Sequence, residues 1–157
     1  PFSLSTDNLS FSLYYCYMNT KKALWVKRPK SYITIDLHSF SWAEDGESSV
    51  FWTIGEEGEF ELMAQYDDSV SLDFVLLHTP SDYVKFSKDG IYSSFFSLSS
   101  FIPSPSFSSI RLKKDETVIS FYSGEELIYK IENPAFLGSA SFGFEIKGKG
   151  KVNLKVF

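Results

Sequence analysis

Short apolar segments separated by turn-forming residues constrain the fold of this chain more than any other feature. In the last third, five such segments follow one another: residues 109–112, 118–122, 127–131, 141–146 and 152–157. The turns between them are Lys114-Asp115-Glu116, Ser123-Gly124-Glu125, Asn133-Pro134 and Gly148-Lys149-Gly150. Strands linked by turns at this spacing are typical of an antiparallel β-sandwich or barrel.

The first two thirds continue this pattern. Residues 59–66 alternate, so that Phe60, Leu62 and Ala64 share one face. Residues 70–78 form the most apolar segment and are predicted to be a central strand. Residues 43–48 are polar and are predicted to be a turn. Helical periodicity is limited to a predicted single turn at 133–137, so we predict an all-β antiparallel sandwich of about a dozen strands.

The composition supports one compact unit. The chain has 157 residues, of which 43 % are hydrophobic and 18 % aromatic. This length is enough for a core without disulfides or metals, and aromatic rings suit the pleated surfaces of sheets. The sequence has no internal repeat and no linker, so we predict a single domain over residues 1–157.

The charge distribution limits the partners. The net charge is −5, which argues against nucleic acid as a partner because phosphate binding needs a dense basic face. Residues 41–84 hold eleven acids and no Lys or Arg. We interpret this block as a solvated surface and predict no cofactor. Calcium is the alternative, with two candidate ligand sets: Asp67, Asp68 and Asp73, or Glu44, Asp45 and Glu47. Neither set follows a known calcium-loop spacing.

The lone cysteine and the first residues bear on the compartment. Cys16 is the one cysteine, so no internal disulfide can form. Residues 1–12 lack the basic start and apolar run of a signal peptide, and no segment is long and apolar enough to span a bilayer. These observations favour the cytoplasm and leave the compartment undecided.

Several phrases resemble the concanavalin A-like sandwiches, and most nearly the DUF1349-type (regulation-of-enolase-like) domains. Gly58-Glu59-Phe60-Glu61-Leu62 is similar to their G-(D/E)-F-x-(L/V) strand, and Asp82-Tyr83-Val84-Lys85 to their (N/D)-(W/Y)-(V/A)-K strand. Leu137-Gly138 and Phe142-Gly143-Phe144 resemble their ending. The resemblance covers residues 42–157, but Tyr66-Asp67-Asp68 lacks the Gly that usually follows. It implies a jelly-roll sandwich and no particular reaction.

A non-catalytic site for a carbohydrate or another small polar ligand, on one sheet face, is the function we predict. Sugar rings stack on aromatic side chains, while charged groups bind their hydroxyls. The candidate ligand-binding residues are Trp42, Trp52, Asp73, His78, Tyr83 and Lys85. Trp42 stands out among the tryptophans because a polar segment follows it. No residue is assigned a catalytic role.

Two alternatives stay open, and a third is disfavoured. Exposed aromatic segments and residues 152–157 at a sheet edge could mediate self-association, giving a homo-oligomer. Glu57, Glu59 and Glu61 alternate as in some glycosidases, and carboxylates two apart on a strand share a face. A nucleophile built from Cys16 with His38 or His78 is disfavoured, because Cys16 lies within an aromatic strand.

Overall fold

A computed structural model gives the fold. It describes residues 14–18, 21–27, 34–35, 39–54, 58–79, 81–88, 90–94, 109–116, 118–132 and 140–157; for 14–18, 21–22, 34–35 and 39–45 it describes the backbone without the side chains. Within these ranges the chain forms twelve strands: β1 Tyr14–Met18, β2 Lys21–Lys27, β3 Thr34–Ile35, β4 Ser39–Thr53, β5 Gly58–Tyr66, β6 Val70–Thr79, β7 Asp82–Ser87, β8 Gly90–Ser93, β9 Ser109–Lys114, β10 Ile119–Ser123, β11 Glu126–Ile131 and β12 Ser141–Val156. The same ranges contain no helix long and apolar enough to cross a membrane.

Two long strands, β4 and β12, organise the sheet. They pair antiparallel along almost their full length, from Ser141 opposite Thr53 to Lys155 opposite Ser39. On its other side β12 has two successive partners: its first half pairs with β6 and its second half with β5. One continuous strand therefore takes part in two layers.

The two layers of the sandwich follow from this pairing. The front layer contains β1, β2, the second half of β4, the first half of β12, β6, β7 and β8. The back layer contains β3, the first half of β4, the second half of β12, β5, β9, β10 and β11. Rings from the two layers meet in the interior: Phe86 of β7 lies 4.7 Å from Phe121 of β10, measured between ring centroids. The predicted all-β antiparallel sandwich is confirmed.

The core consists of the inward side chains of both layers. As the alternation predicts, Phe60, Leu62 and Ala64 are all buried. Seven aromatic side chains in the described part of the chain are less than 2 % exposed: Trp25, Trp52, Phe74, Phe86, Phe121, Phe142 and Phe144. Fully burying a side chain of Phe size contributes about 1.5–3 kcal/mol, so these rings contribute substantially to stability.

Two predicted turns are wrong. Residues 43–48 lie within β4, and Gly148-Lys149-Gly150 lies within β12, so both segments are continuous strands. Gly46, Gly148 and Gly150 have φ values of 138°, 114° and 156°. This backbone lets a paired strand bend sharply without leaving the ladder, and glycine adopts it at little cost. The glycines that suggested hairpins therefore mark bends.

The predicted edge at residues 152–157 is also wrong. Residues 152–155 pair with β4 on one side, and residues 152–156 pair with β5 on the other, so the backbone groups of this segment are already used. Phe157 continues this pairing, because its N–H donates to the carbonyl of Glu61 at 2.9 Å. This part of the chain is an interior strand of the back layer.

Other expectations hold or lie outside the described residues. β6 is interior in the front layer, between β12 and β7, as predicted. Gly124, with φ 62°, forms the tight turn between β10 and β11. The predicted helical turn at 133–137 lies outside the described residues, as do residues 95–107 of the segment 93–107, which is rich in Ser and Phe.

Candidate ligand-binding face

The outward side of the front layer holds the strongest candidate site. In β6 and β7 the even-numbered residues, such as Phe74 and Phe86, point into the core, so the odd-numbered residues point outward. We call the front face the set of outward residues on β4, β6, β7, β8 and β12: Phe51, Asp73, Val75, Leu77, Tyr83, Lys85, Tyr92, Gly143 and Glu145.

An ion pair lies at the centre of this face. The Nζ atom of Lys85 is 2.9 Å from Oε1 of Glu145, and each side chain is about one third exposed, at 34 % and 35 %. β6 separates β7 from β12, so the pair spans a strand. The hydrogen bond from Lys85 to Glu145 raises the pKa of Lys85, against the opposite effect of partial burial. Lys85 is therefore a charged donor at neutral pH.

A second carboxylate stands beside the pair. Asp73 lies directly opposite Glu145 in the β6–β12 register. Side chains at such positions have Cβ atoms about 4.5–5.5 Å apart. The charge of Asp73 also helps to raise the pKa of Lys85, which places it within electrostatic reach of the ammonium. A second carboxylate therefore lies near the ammonium of the Lys85–Glu145 pair.

Aromatic side chains flank the ion pair. The Nζ atom of Lys85 lies 5.1 Å from the ring centroid of Tyr83. Tyr92 is directly opposite Lys85 on β8 and is 46 % exposed. A large ring that is half exposed, next to charged groups, has the composition expected of a site for an amphipathic ligand.

The floor of the front face is apolar. Phe51 and Val75 point away from the core, yet they are 5 % and 2 % exposed. Gly143 lies between them in the sheet. A Cβ atom at Gly143 would come within 2.8 Å of Cδ1 of Phe51, so the Phe51 ring lies across the glycine. The face therefore combines a buried apolar floor with a charged and aromatic rim.

The structure brings together three of the six predicted ligand residues: Asp73, Tyr83 and Lys85. Trp52 lies in the core, 1 % exposed, with its ring 6.0 Å from that of Phe144. Burial at this position leaves its ring out of reach of a ligand on either outer face.

The other two predicted ligand residues lie elsewhere. His78 is half-buried near the end of β6, beside a register irregularity between Leu77 and Thr79. Trp42 is in the first half of β4, where its backbone pairs with Val152. The Trp42 side chain lies outside the described residues.

Glu145, Phe51 and Tyr92 lie on the front face but are not among the six residues predicted from the sequence. The burial of Phe144 and Ile146 on either side of Glu145 follows from alternation, so an outward Glu145 could be read from the sequence. Its position beside Asp73 could not, because that depends on β12 pairing with β6.

The predicted glutamate series lies on the opposite layer. Glu59 forms an ion pair of 3.2 Å with Nη1 of Arg111, and Glu61 accepts a hydrogen bond of 3.2 Å from the Ser109 hydroxyl. Both belong to β5 in the back layer and point away from the front face. Glu57 lies outside the described residues, as do His38 and the side chain of Cys16.

The calcium alternative gains no support from its described members. Oδ2 of Asp67 accepts the backbone N–H of Lys151 at 2.9 Å, which gives this carboxylate a structural partner. Among the residues that the structure describes, no group of three or more His, Cys, Asp or Glu side chains is placed to hold a metal ion. The side chains of Glu44 and Asp45 lie outside that set.

Comparison with known proteins supports the fold. No family model and no curated protein matches the chain. A solved structure of a Crh5 transglycosylase in complex with NAG matches with a TM-score of 0.55 and 8 % identity, over 99 % of this chain and 86 % of that one. At this identity the likeness shows the fold alone.

Two further structures match more weakly. A Bacteroides ovatus GH16 protein in complex with a G4G4G3G product has a TM-score of 0.46 and 8 % identity, over 95 % of this chain and 84 % of that one. The SPRY domain of human HERC1 has a TM-score of 0.44 and 14 % identity, over 80 % and 91 %. The chain has a jelly-roll β-sandwich fold, as its likeness to the Crh5 structure shows. The finer resemblance to DUF1349 stays a prediction.

Proposed function

We propose that this chain is a non-catalytic binding domain whose front face takes a carbohydrate or a similar hydroxyl-rich ligand. The single observation that carries the proposal is the Lys85–Glu145 ion pair with Asp73 beside it, between Tyr83 and the half-exposed Tyr92. These groups lie on three neighbouring strands and one edge strand of the described sheet, all pointing outward.

The chemistry of these groups matches that of a sugar. A sugar ring has an apolar C–H surface, which the exposed ring of Tyr92 can cover, and a rim of hydroxyl groups. Carboxylates such as Asp73 and Glu145 accept hydrogen bonds from hydroxyls, and the Lys85 ammonium donates them. Hydrogen bonds to charged groups are stronger than hydrogen bonds between neutral groups, so a small number of them can orient the ligand.

The ion pair also lowers the cost of binding. Immobilising a flexible side chain on binding costs about 0.5–1.5 kcal/mol. Lys85 is already fixed by Glu145 and by its position near the Tyr83 ring. Much of that ordering is therefore complete before a ligand arrives.

The fold comparison is compatible with this function but does not carry it. The Crh5 structure contains NAG, a sugar, and it shares the fold at 8 % identity. One fold hosts many functions, so the proposal depends on the front-face residues of this chain.

Titration calorimetry with a panel of neutral oligosaccharides tests the proposal. We expect a ligand that binds wild type and binds Tyr92→Ala and Asp73→Asn roughly tenfold or more weakly, since each change removes one contact of about 1.4 kcal/mol or more. Phe157→Ala is the matched control, because Phe157 is an aromatic residue of similar exposure, 42 %, beside β5 of the back layer. The proposal would be contradicted if no oligosaccharide of the panel bound, or if the control variant lost as much affinity as Tyr92→Ala and Asp73→Asn.

A further inference from the structure

The outward side of the back layer has a charge opposite to that of the whole chain. We call the back face the outward residues of β5, β9, β10, β11 and the second half of β12. Its described bases are Arg111, Lys113, Lys130, Lys151 and Lys155, and its described acids are Glu59 and Glu61. The net charge of the chain is −5. This excess of bases is therefore a local feature of one surface.

The bases at the centre of the face lie in a row across the strands. Ser120 is opposite Lys113 on one side and opposite Lys130 on the other. The two lysines are exposed, whereas Ser120 is 8 % exposed and forms the floor between them. They are two strand spacings apart, about 9–10 Å. Such a row presents two ammonium groups to one extended ligand.

A second row runs beside the first. Arg111 is opposite Tyr122, which is opposite Leu127. The Arg111 guanidinium lies 4.6 Å from the Tyr122 ring centroid, and its Nη1 atom is 3.2 Å from Glu59. These contacts fix the guanidinium plane, and the group has further N–H donors that can bind an oxyanion.

We infer that the back face is a second binding surface, and that it takes an acidic polysaccharide bearing carboxylate or sulfate groups. A linear chain laid across β11, β10 and β9 meets Lys130, Ser120 and Lys113 in turn, with Arg111 alongside. Glu59 and Glu61 on β5 end the favourable potential on one side. The surface lies on the opposite layer from the front face and is independent of it.

The geometry favours this polymer over other polyanions. Double-stranded nucleic acid needs a dense basic surface, and the negative net charge of the chain opposes it. Extended peptides are commonly recognised through the backbone groups of a sheet edge, and acidic peptide motifs through clusters of Arg, whereas the described back face has one Arg, Arg111. The back face offers side chains on a sheet surface, including two hydroxyls, from Ser120 and Tyr122, that suit hydroxyl-rich chains.

The experiment compares polyanions on two charge-matched variants. Immobilised polygalacturonate and heparin serve as probes at low and high salt. We expect wild type to bind at least one of them, with affinity that falls as salt rises. Lys113→Ala/Lys130→Ala should bind roughly tenfold or more weakly. Lys88→Ala/Lys149→Ala removes the same charge from exposed residues elsewhere and should change the affinity less than about twofold.

Three results would overturn the inference. One is no binding to either probe at low salt, and another is an equal loss in both double variants, which would indicate general electrostatics. The third is binding of poly-L-glutamate or duplex DNA as tight as that of the polysaccharides. Tyr92→Ala should bind the acidic probes like wild type, which separates this surface from the front face. Circular dichroism confirms that each variant is folded.

Discussion

Gly46 lies directly opposite Gly148 at the point where the two longest strands pass from the front layer to the back layer. The chain between β5 and β6 turns beside them. The N–H of Asp67 donates to the carbonyl of Lys151 at 3.1 Å, and the Ser69 hydroxyl donates to the carbonyl of Lys149. β4, β12 and the turn between β5 and β6 therefore change direction at the same place. This shared change of direction lets one continuous sheet form both layers of the sandwich.

Gly148→Ala should destabilise the domain by about 2–4 kcal/mol. The φ of 114° is strained for alanine, which costs about 1–3 kcal/mol, and the new Cβ would lie 2.6 Å from the Ser69 carbonyl oxygen. Urea unfolding measures the change. Gly124→Ala is the control: its φ of 62° is also left-handed and costs about 1–2 kcal/mol, but no atom lies within 4 Å of the added Cβ. Equal losses at the two glycines would show that the close approach to Ser69 adds nothing at Gly148.

Asp67→Ala should cost about 1–2 kcal/mol, because the Lys151 N–H would lose its carboxylate acceptor. The neighbouring Asp68→Ala should change stability by less than about 0.5 kcal/mol, since Asp68 is an exposed turn residue. Thermal unfolding of both variants is the measurement. A larger effect at Asp68 would mean that the bend depends on the charge of the turn rather than on this hydrogen bond.

Phe121→Ala should cost about 3–5 kcal/mol, the range for removing a fully buried ring. Phe121 is fully buried. Its ring centroid lies 4.7 Å from that of Phe86 in the front layer and 5.6 Å from that of Phe142, so loss of the Phe121 ring opens a cavity between the layers. Leu127→Ala, at a residue 48 % exposed, should cost less than about 1 kcal/mol. Denaturant unfolding measures both changes. A similar loss of unfolding free energy in Phe121→Ala and Leu127→Ala would argue against tight packing between the layers.

Glu145→Gln should lower the pKa of Lys85 towards 10.5, its ordinary value, because the hydrogen bond to Glu145 is the main cause of the raised pKa. NMR titration of the lysine side chain measures this. Asp73→Asn should lower the same pKa by less, since its charge has a smaller effect. An unchanged Lys85 pKa in Glu145→Gln would mean that the ion pair is absent in solution.

The same ion pair gives a pH dependence with a definite sign. A group whose pKa is raised by folding contributes its full stabilisation below the unfolded pKa and loses it as pH rises through the folded pKa. The stability difference between wild type and Glu145→Gln should therefore be constant between about pH 6 and 9 and should shrink above about pH 10.5. A difference that grows with alkaline pH would reverse this assignment.

Features that depend on neighbouring residues could be predicted from the sequence, whereas features that depend on pairing between distant strands could not. Alternation in residues 59–66 gave the inward face correctly, because the side-chain period of a strand is a local property. The glycines at 46 and 148 predict turns, because glycine is common both in turns and at bends within strands. Only the pairing of β4 with β12 shows that these two positions are bends. The edge prediction for residues 152–157 failed for the same reason, since the sequence does not state which strands flank it.

The amino-acid sequence by itself determined that this chain is an all-β antiparallel fold and which side chains of residues 59–66 point inward, because strand period and turn chemistry act over a few residues. Tertiary structure decided that Lys85, Asp73 and Glu145 meet on one face and that Trp52 is buried. Those contacts depend on pairing between distant strands, such as β6 and β12, where residues 70 and 148 are paired although they are 78 positions apart. Closing such a long loop is governed by the whole fold rather than by any one segment.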